Sequence, residues 1–221
     1  MDEAVIFDMD GLMLDTKLTW RQAEIELLKD LGKEYDIKIA KRYQGMRVSG
    51  VVEVMIREYH LPINQEDGEK LLTDKLVQSY DNPALELLPG CERLVKDLSN
   101  SNQFKLAIAS SSPKVVIETM TRHFNLSQLF DLLVSGEEVK NGKPAPDVYL
   151  KTSDELGIES RNCVVLEDAP NGATAGKKAN MKVIAVVNKV FFKPEEFEGI
   201  ANLIVESLED LDPTKIASFL E

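Results

Sequence analysis

Short apolar segments recur along the whole chain, and their hydrophobic residues stand at consecutive rather than alternating positions. The segments are Ala4–Phe7, Leu106–Ala109, Leu132–Val134, Cys163–Leu166, Val183–Val187 and, with a weaker pattern, Leu203–Val205. Consecutive apolar positions are typical of strands buried on both faces, as in a parallel sheet that helices cover on its two sides. The pattern therefore predicts six buried strands.

Helical patterns separate these strands. After Pro89–Gly90 a helix carries Leu94, Val95 and Leu98 on its inner face, and another begins near Pro144 and Pro146 and ends at Gly157. Between them, Ser112 is expected to be an N-cap, with Pro113 at the first position of a third helix. Strands and helices that alternate at this spacing predict an open, doubly wound parallel α/β sheet.

The interval from residue 16 to residue 86 lacks a convincing strand and contains three amphipathic patterns. They are centred on Ala23, Leu27 and Leu28, on Val51, Val52 and Met55, and on Leu72, Leu76 and Tyr80. A crossover between parallel strands needs only about a dozen residues. We therefore expect residues 16–86 to form an all-helical cap domain, joined by linkers near 14–17 and 82–88 to a catalytic core made of residues 1–15 and 87–221.

The charge of the chain excludes several classes of partner. It carries 26 Lys and Arg against 38 Asp and Glu, a formal net charge of -12. Such a surface repels phosphate backbones and anionic membranes, so we expect neither a nucleic acid nor a membrane as a partner. No apolar run approaches the roughly 20 residues of a membrane-spanning helix. The acidic start of the chain argues against a secretory leader, and two cysteines do not make a disulfide framework, so we expect a cytoplasmic protein.

Charged and hydroxyl side chains follow four of the predicted strands. They are Asp8 and Asp10 after the first, Ser110, Ser111 and Ser112 after the second, Lys143 in the loop after the third, and Glu167 and Asp168 after the fourth. Each group alone has an ordinary explanation as a turn, a helix cap or a solvated loop. Ligands of open α/β sheets bind outside the carboxyl ends of the strands, so the combination predicts one site there.

Four segments together resemble the motifs of the haloacid dehalogenase superfamily, in the subgroup with a helical cap that contains sugar-phosphate phosphatases and β-phosphoglucomutase. The segments are Asp8-Met9-Asp10-Gly11-Leu12-Met13-Leu14-Asp15-Thr16, Ser110, Lys143-Pro144-Ala145-Pro146-Asp147 and Glu167-Asp168-Ala169-Pro170-Asn171-Gly172. The resemblance covers residues 4 to about 187 and implies a Rossmann-like core.

The resemblance also implies the roles of the site residues. Asp8 would be the nucleophile and Asp10 the general acid and base. Ser110, with Ser111, and Lys143 would bind the phosphate. Asp8, Asp10, Glu167 and Asp168 would form the metal site.

Elementary electrostatics supports a metal in such a site. Two carboxylates in close contact repel each other by about 4 kcal/mol at an effective dielectric constant near 20. Mg²⁺ prefers oxygen ligands and keeps positions open for water and a phosphoryl oxygen. We therefore expect Mg²⁺ as the cofactor and a small phosphorylated metabolite as the substrate.

The choice between phosphatase and mutase depends on the cap. Mutases of the subgroup carry a His four residues after the Thr of the first motif, an Arg in a Gly-Val-Ser-Arg segment of the cap and a Lys shortly after the Ser of the second motif. This chain has Trp20, Arg47 one residue early, and Pro113 at the corresponding positions. We therefore predict a phosphatase, with a mutase as the alternative, and we expect Trp20 and Arg47 to influence substrate specificity.

A catalytically silent binding protein on the same fold is a third reading, since a fold alone does not establish function. It predicts the loss of at least one charged motif residue, yet Asp8, Asp10, Lys143 and Asp168 are all present. The physiological substrate stays open among sugar, polyol and nucleoside monophosphates. A monomer is the default expectation for the assembly.

Overall fold

The computed structural model describes residues 1–43, 46–187, 189 and 192–220. In this part of the chain six parallel strands form one sheet. The strands are β1 (Glu3–Phe7), β2 (Phe104–Ser110), β3 (Leu132–Ser135), β4 (Cys163–Glu167), β5 (Lys182–Val186) and β6 (Leu203–Val205). The six strands that the apolar segments predicted are therefore confirmed.

The α-helices of the described residues fall into two groups, one between β1 and β2 and one that alternates with the later strands. The first group is α1 (Lys17–Asp30), α2 (Ile37–Ala40), α3 (Val48–Tyr59) and α4 (Gln65–Tyr80). The second is α5 (Cys91–Ser101), α6 (Lys114–His123), α7 (Asp147–Leu156), α8 (Pro170–Lys178) and α9 (Pro213–Ala217). Within the described segments no helix is long and apolar enough to cross a membrane.

The strand order places one crevice at the centre of the sheet. The order is β3-β2-β1-β4-β5-β6, so the chain moves outward in one direction from β1 and then returns to continue on the other side. Phe7, at the end of β1, pairs with Ile108 of β2 and with Leu166 of β4. The carboxyl ends of these three strands therefore lie side by side, which is where ligands bind in sheets of this kind.

The sheet is buried on both faces, as consecutive apolar residues require. Val5 and Phe7 belong to one hydrophobic cluster, which extends to α5 and α6, whereas Ala4 and Ile6 belong to a second cluster with α7 and α8. Successive side chains of a strand point to opposite faces, so both faces of β1 need apolar residues. The doubly wound α/β class that we predicted is confirmed.

Helices α1 to α4 form the insertion between β1 and the remainder of the sheet. In residues 16–86, apart from 44 and 45, every regular element is a helix. The two connecting segments meet at a bridge between Leu14 and Leu87, and the Leu88 N–H donates to the Met13 carbonyl at 2.8 Å. Helix α4 also contacts α6 of the core. The insertion therefore rests on the core through paired linkers and one helix face.

One helix start differs from the expectation. Helix α6 begins at Lys114, so Pro113 occupies the N-cap position and not the first helical position, and Ser112 is not the cap. The reason is that the Ser112 hydroxyl donates to Asp10 at 2.7 Å and is used by the site. Helix α7 likewise begins at Asp147, with Pro146 as its N-cap.

A buried carboxyl group lies inside the insertion. Glu24 of α1 is 6% exposed and accepts a hydrogen bond from the Tyr43 hydroxyl at 3.2 Å. Burial raises the pKa of Glu24 from 4.5 to about 7, although the Tyr43 hydroxyl and the Arg21 charge lower it. Burial raises the pKa values of Tyr35 and Tyr59, and the nearby Glu24 charge adds to both shifts. The fold of the insertion therefore favours the protonated form of Glu24.

We predict that Glu24→Gln changes the pH dependence of stability. Because folding raises the pKa of Glu24 from 4.5 to about 7, its stabilising contribution is present below 4.5 and is lost as the pH rises to about 7. Gln carries no charge and retains an acceptor for Tyr43. The quantity to compare is the free energy of unfolding of the variant minus that of wild type. This difference should be more positive at about pH 8 than at about pH 5, by roughly 2 to 3 kcal/mol. Urea unfolding of both proteins at both pH values measures this difference. A difference that does not change with pH would contradict the prediction.

Candidate active site

Asp8 lies at the centre of the crevice, directly after β1. Its backbone N–H donates to the Leu166 carbonyl at 3.0 Å, which continues the pairing between β1 and β4 by one residue. The side chain is buried, with 6% of the residue exposed, and its Oδ1 lies 2.6 Å from the Lys143 Nζ. Burial raises the pKa of Asp8 well above its usual range, while the Lys143 charge acts in the opposite direction. The contact with Lys143 is therefore what favours an ionised Asp8.

Lys143 is the charged centre of the site. Its Nζ donates to Asp8 Oδ1 at 2.6 Å, to Glu167 Oε1 at 2.9 Å and to the Ala109 carbonyl at 3.1 Å. It also lies 4.8 Å from the ring centroid of Tyr149. Burial opposes the charged form, but the Asp8 and Glu167 carboxylates raise the pKa of Lys143 well above its usual value. Lys143 is therefore held in its charged form by three oxygen acceptors.

Glu167 and Asp168 complete the acidic part of the site at the end of β4. Glu167 Oε1 accepts from the Tyr149 hydroxyl at 2.9 Å, and its Oε2 accepts from the Ala169 N–H at 3.0 Å. Burial, together with the Glu167 charge, raises the pKa of Asp168 to about 8, although Lys17 lowers it. A cation bound next to Asp168 would lower its pKa and so oppose the effects of burial and of the Glu167 charge.

Asp8, Glu167 and Asp168 together offer a cation site. One carboxylate oxygen from each lies within 4.8 Å of the other two, and all three residues are buried. Hard oxygen donors of this kind suit Mg²⁺ or Ca²⁺. Gly11, which has a φ of 97°, lies against this group, since a Cβ there would overlap the Asp168 carboxylate. The donor set therefore fits the magnesium that the sequence predicted.

The Asp10 side chain faces a different set of partners. Its Oδ1 accepts from the Tyr80 hydroxyl, and its Oδ2 accepts from Ser110 Oγ at 3.1 Å and from Ser112 Oγ at 2.7 Å. The Asp10 carboxylate is thus outside the group formed by Asp8, Glu167 and Asp168 in the described residues. Three hydroxyl groups hold the Asp10 carboxylate in one orientation.

The predicted phosphate-binding residues lie close to these carboxylates. Ser110 is fully buried, and its hydroxyl accepts from the Ser112 N–H at 3.0 Å while it donates to Asp10. Ser111 is half-buried in the loop between β2 and α6. The Ala109 carbonyl, next to Ser110, accepts from Lys143. The structure therefore brings Ser110 and Lys143 to one edge of the sheet.

The two predicted specificity residues both lie in the insertion, where Trp20 contacts another helix of the insertion and Arg47 contacts the core. The Trp20 Nε1 donates to the Tyr80 hydroxyl at 3.1 Å. The Arg47 guanidinium donates to the Gly136 carbonyl at 2.9 Å and to the Val139 carbonyl at 2.8 Å. Residues 44 and 45, which precede Arg47 in the same loop, lie outside the described residues. Arg47 is thus engaged with core backbone.

Sequence reasoning placed Ser112 with Ser110 and Ser111 at the site, but it missed two tyrosines that contact the acidic groups. Tyr80 and Tyr149 had no sequence signal, because each lies within an apolar helix face and looks like an ordinary core residue. Only the folded chain shows that their hydroxyls reach Asp10 and Glu167.

The chain thus combines a doubly wound sheet with buried carboxylates and a buried lysine at the carboxyl edge of that sheet. The family model of the haloacid dehalogenase-like hydrolases matches residues 5–186. The chain therefore belongs to that family, and the family that the four motifs predicted is confirmed.

Individual relatives agree with this assignment. A probable pseudouridine-5'-phosphatase of Drosophila melanogaster is 33% identical over 217 residues, which cover 94% of this chain and 90% of that protein. Hexitol phosphatase B of Escherichia coli O157:H7 is 33% identical over 215 residues, covering 94% and 93%. The crystal structure of a β-phosphoglucomutase from Clostridium difficile has a TM-score of 0.81 at 26% identity, covering 100% of this chain and 97% of the other.

We predict opposite effects of two glycine-to-alanine substitutions in helices. A Cβ at Gly172 would overlap the Glu167 carboxylate, whereas a Cβ at Gly50 would make an ordinary contact at 3.4 Å with Met46. Because Lys143 and Tyr149 fix Glu167, Gly172→Ala should lower the free energy of unfolding by about 1–3 kcal/mol. Gly50→Ala should raise it by roughly 0.5–1 kcal/mol. Urea unfolding of both variants provides the measurement.

Equal, small effects of the two substitutions would contradict the packing described around Glu167. The Gly50→Ala variant serves as the matched control, because it adds the same methyl group to a helix of the insertion.

Proposed function

We propose that this protein is a Mg²⁺-dependent phosphatase that hydrolyses a small phosphate monoester through an aspartyl phosphate on Asp8. The observation that carries the proposal is the Asp8 carboxylate, 2.6 Å from a buried Lys143 and grouped with Glu167 and Asp168. A carboxylate with a neighbouring cation can attack a phosphoryl group, since the cation offsets the repulsion between two anions. The predicted phosphoric monoester hydrolase is confirmed at the level of family and enzyme class.

The proposed reaction has two steps on the same phosphorus atom. In the first, an Asp8 carboxylate oxygen forms a bond to phosphorus, the ester P–O bond breaks, and Asp10 gives its proton to the departing alkoxide oxygen. In the second, Asp10 takes a proton from water, the water oxygen bonds to phosphorus, and the bond to Asp8 breaks. The products are the alcohol and inorganic phosphate, and Asp8 and Asp10 return to their starting forms.

The remaining groups would bind charge and orient the substrate. Lys143 and the Ser110 hydroxyl, with Ser111, would bind the phosphoryl oxygens. Mg²⁺ held by Asp8, Glu167 and Asp168, with Asp10 as a further proposed ligand, would supply positive charge against the developing charge on those oxygens. Residues 16–86 would be the cap domain, which excludes water from the crevice during the first step.

The relatives suggest the class of substrate. One is named for a nucleoside monophosphate and another for hexitol phosphates, so we propose a sugar, polyol or nucleoside monophosphate. Trp20 and Arg47 would influence the choice of substrate through the position of the cap, given their contacts with Tyr80 and with the loop at Gly136. Monomeric state and cytoplasmic location stay predictions.

We predict that metal removal abolishes activity and that Mg²⁺ restores it. Ca²⁺ should bind but support little turnover, because its longer bonds and looser coordination displace the phosphoryl group. In a calorimetric titration with Mg²⁺ alone, wild type should bind the ion and Asp168→Asn should not. Asp154→Asn, which changes an exposed aspartate, is the matched control and should bind Mg²⁺ as wild type does. Full activity with excess chelator would remove the metal from the proposal.

A mutase is the alternative, favoured by the similar structure of a β-phosphoglucomutase. A mutase must hold a bisphosphate while it turns around, which needs cations near the distal phosphate. Here Lys114, next to Pro113, donates to the Leu133 carbonyl and lies 3.7 Å from Glu138. Because Lys114 interacts with these protein groups, the arrangement supports a phosphatase and not a mutase.

We therefore predict that β-glucose 1-phosphate, with a catalytic amount of the 1,6-bisphosphate, yields inorganic phosphate and little glucose 6-phosphate. The absence of one charge-assisted hydrogen bond to a phosphate weakens binding by about 1.5–3 kcal/mol, and the absence of two shifts the ratio of the products by roughly a hundredfold or more. Isomerisation faster than phosphate release in a coupled assay would replace the phosphatase with the mutase. A parallel screen of sugar, polyol and nucleoside monophosphates would identify the preferred ester.

A further inference from the structure

We infer that Tyr80, at the end of α4 in the insertion, is a positioning residue that orients Asp10 for proton transfer. The inference rests on the proposed function, because it assigns a role to a residue that acts through Asp10. Tyr80 is fully buried, and its hydroxyl contacts three polar groups, the Asp10 Oδ1, the Trp20 Nε1 and the Thr16 side chain. No motif of the sequence includes it.

The direction of these hydrogen bonds follows from the chemistry of the partners. An indole N–H can only donate, so the Tyr80 oxygen accepts from Trp20 at 3.1 Å. The Asp10 carboxylate can only accept, so the single proton of the phenol is directed to Asp10 Oδ1, and the Thr16 hydroxyl donates to the Tyr80 oxygen. Tyr80 therefore holds Asp10 through a hydrogen bond that it donates.

This arrangement distinguishes the two oxygens of Asp10. Because Oδ1 accepts the Tyr80 proton, the proton that Asp10 transfers to the leaving group resides on Oδ2. The Oδ2 partners are the hydroxyls of Ser110 and Ser112, at 3.1 Å and 2.7 Å. A serine hydroxyl rotates and can either donate or accept, so both states of Asp10 are satisfied there.

The same bond connects the insertion to the chemistry. Tyr80 and Trp20 belong to helices of the insertion, α4 and α1, whereas Asp10 follows β1 of the core. The bond between Tyr80 and Asp10 therefore exists only while the insertion lies against the core.

The test compares Tyr80→Phe with wild type on two esters whose leaving groups differ in basicity. One is the alkyl phosphate that wild type hydrolyses fastest in the screen above, and the other is p-nitrophenyl phosphate. An alkoxide needs a proton to depart, whereas nitrophenolate does not. For Tyr80→Phe we expect kcat on the alkyl ester to fall by roughly 10- to 100-fold with KM within about twofold. The first-turnover burst of nitrophenolate should change by less than about threefold.

Tyr43→Phe is the matched control, since it removes another buried tyrosine hydroxyl of the insertion, one that donates to Glu24. It should leave both rates unchanged. Trp20→Phe is a second variant, which removes one of the groups that orient the Tyr80 hydroxyl. It should lower kcat by a smaller factor than Tyr80→Phe, again on the alkyl ester only. Because Trp20 is the single tryptophan of the chain, its fluorescence reports directly on the contact with residue 80.

Equal losses on both esters, or no loss on either, would overturn the inference while the proposed function stands. If wild type hydrolyses no phosphate ester of the screen, the proposed function is overturned and this inference with it. A selective loss on the alkyl ester, with altered Trp20 fluorescence and a native circular dichroism spectrum, would support the inference.

Discussion

The buried ammonium group of Lys143 is the constraint on which the site depends. Removing a cation from water costs several kcal/mol unless charged partners surround it. Asp8 and Glu167 supply those partners, at 2.6 Å and 2.9 Å, and the Ala109 carbonyl takes the third donor. Asp8 directly follows β1, whereas Glu167 and Ala109 belong to β4 and β2, so the lysine fixes the ends of the central strands relative to one another. The same contact prepares Asp8 as an anion in a buried position.

A second polar group joins the insertion to this core. The Asp10 carboxylate accepts hydrogen bonds from hydroxyl groups on both sides. Ser110 and Ser112 of the core donate on one side, and Tyr80 of the insertion donates on the other. On another side, Arg47 donates to the Gly136 and Val139 carbonyls. The insertion therefore contacts the core through directed hydrogen bonds next to the acidic groups, and its position affects the chemistry directly.

The sequence predicted those parts of the structure that have a local chemical signature. The six strands were predictable because a strand covered on both faces needs consecutive apolar residues. Asp8 and Lys143 were predictable because, together with the groups after the second and fourth strands, they stand in segments that resemble the motifs of one family. The assignment of Ser112 as an N-cap was wrong, since its hydroxyl serves Asp10. Tyr80 was not predictable, because its contact with Asp10 joins residues 70 positions apart and depends on how α4 lies on the core.

The central claim is that Asp8 attacks phosphorus, and chemical trapping tests it most directly. Borohydride reduces an acyl phosphate on aspartate to homoserine, so the enzyme is quenched during turnover of a saturating substrate, reduced, digested and examined by mass spectrometry. The account predicts homoserine at position 8 only, with Asp10 and Asp168 unmodified, and none in Asp8→Asn treated in the same way. Homoserine at a different position, or its absence at position 8 while wild type turns over, would contradict the account.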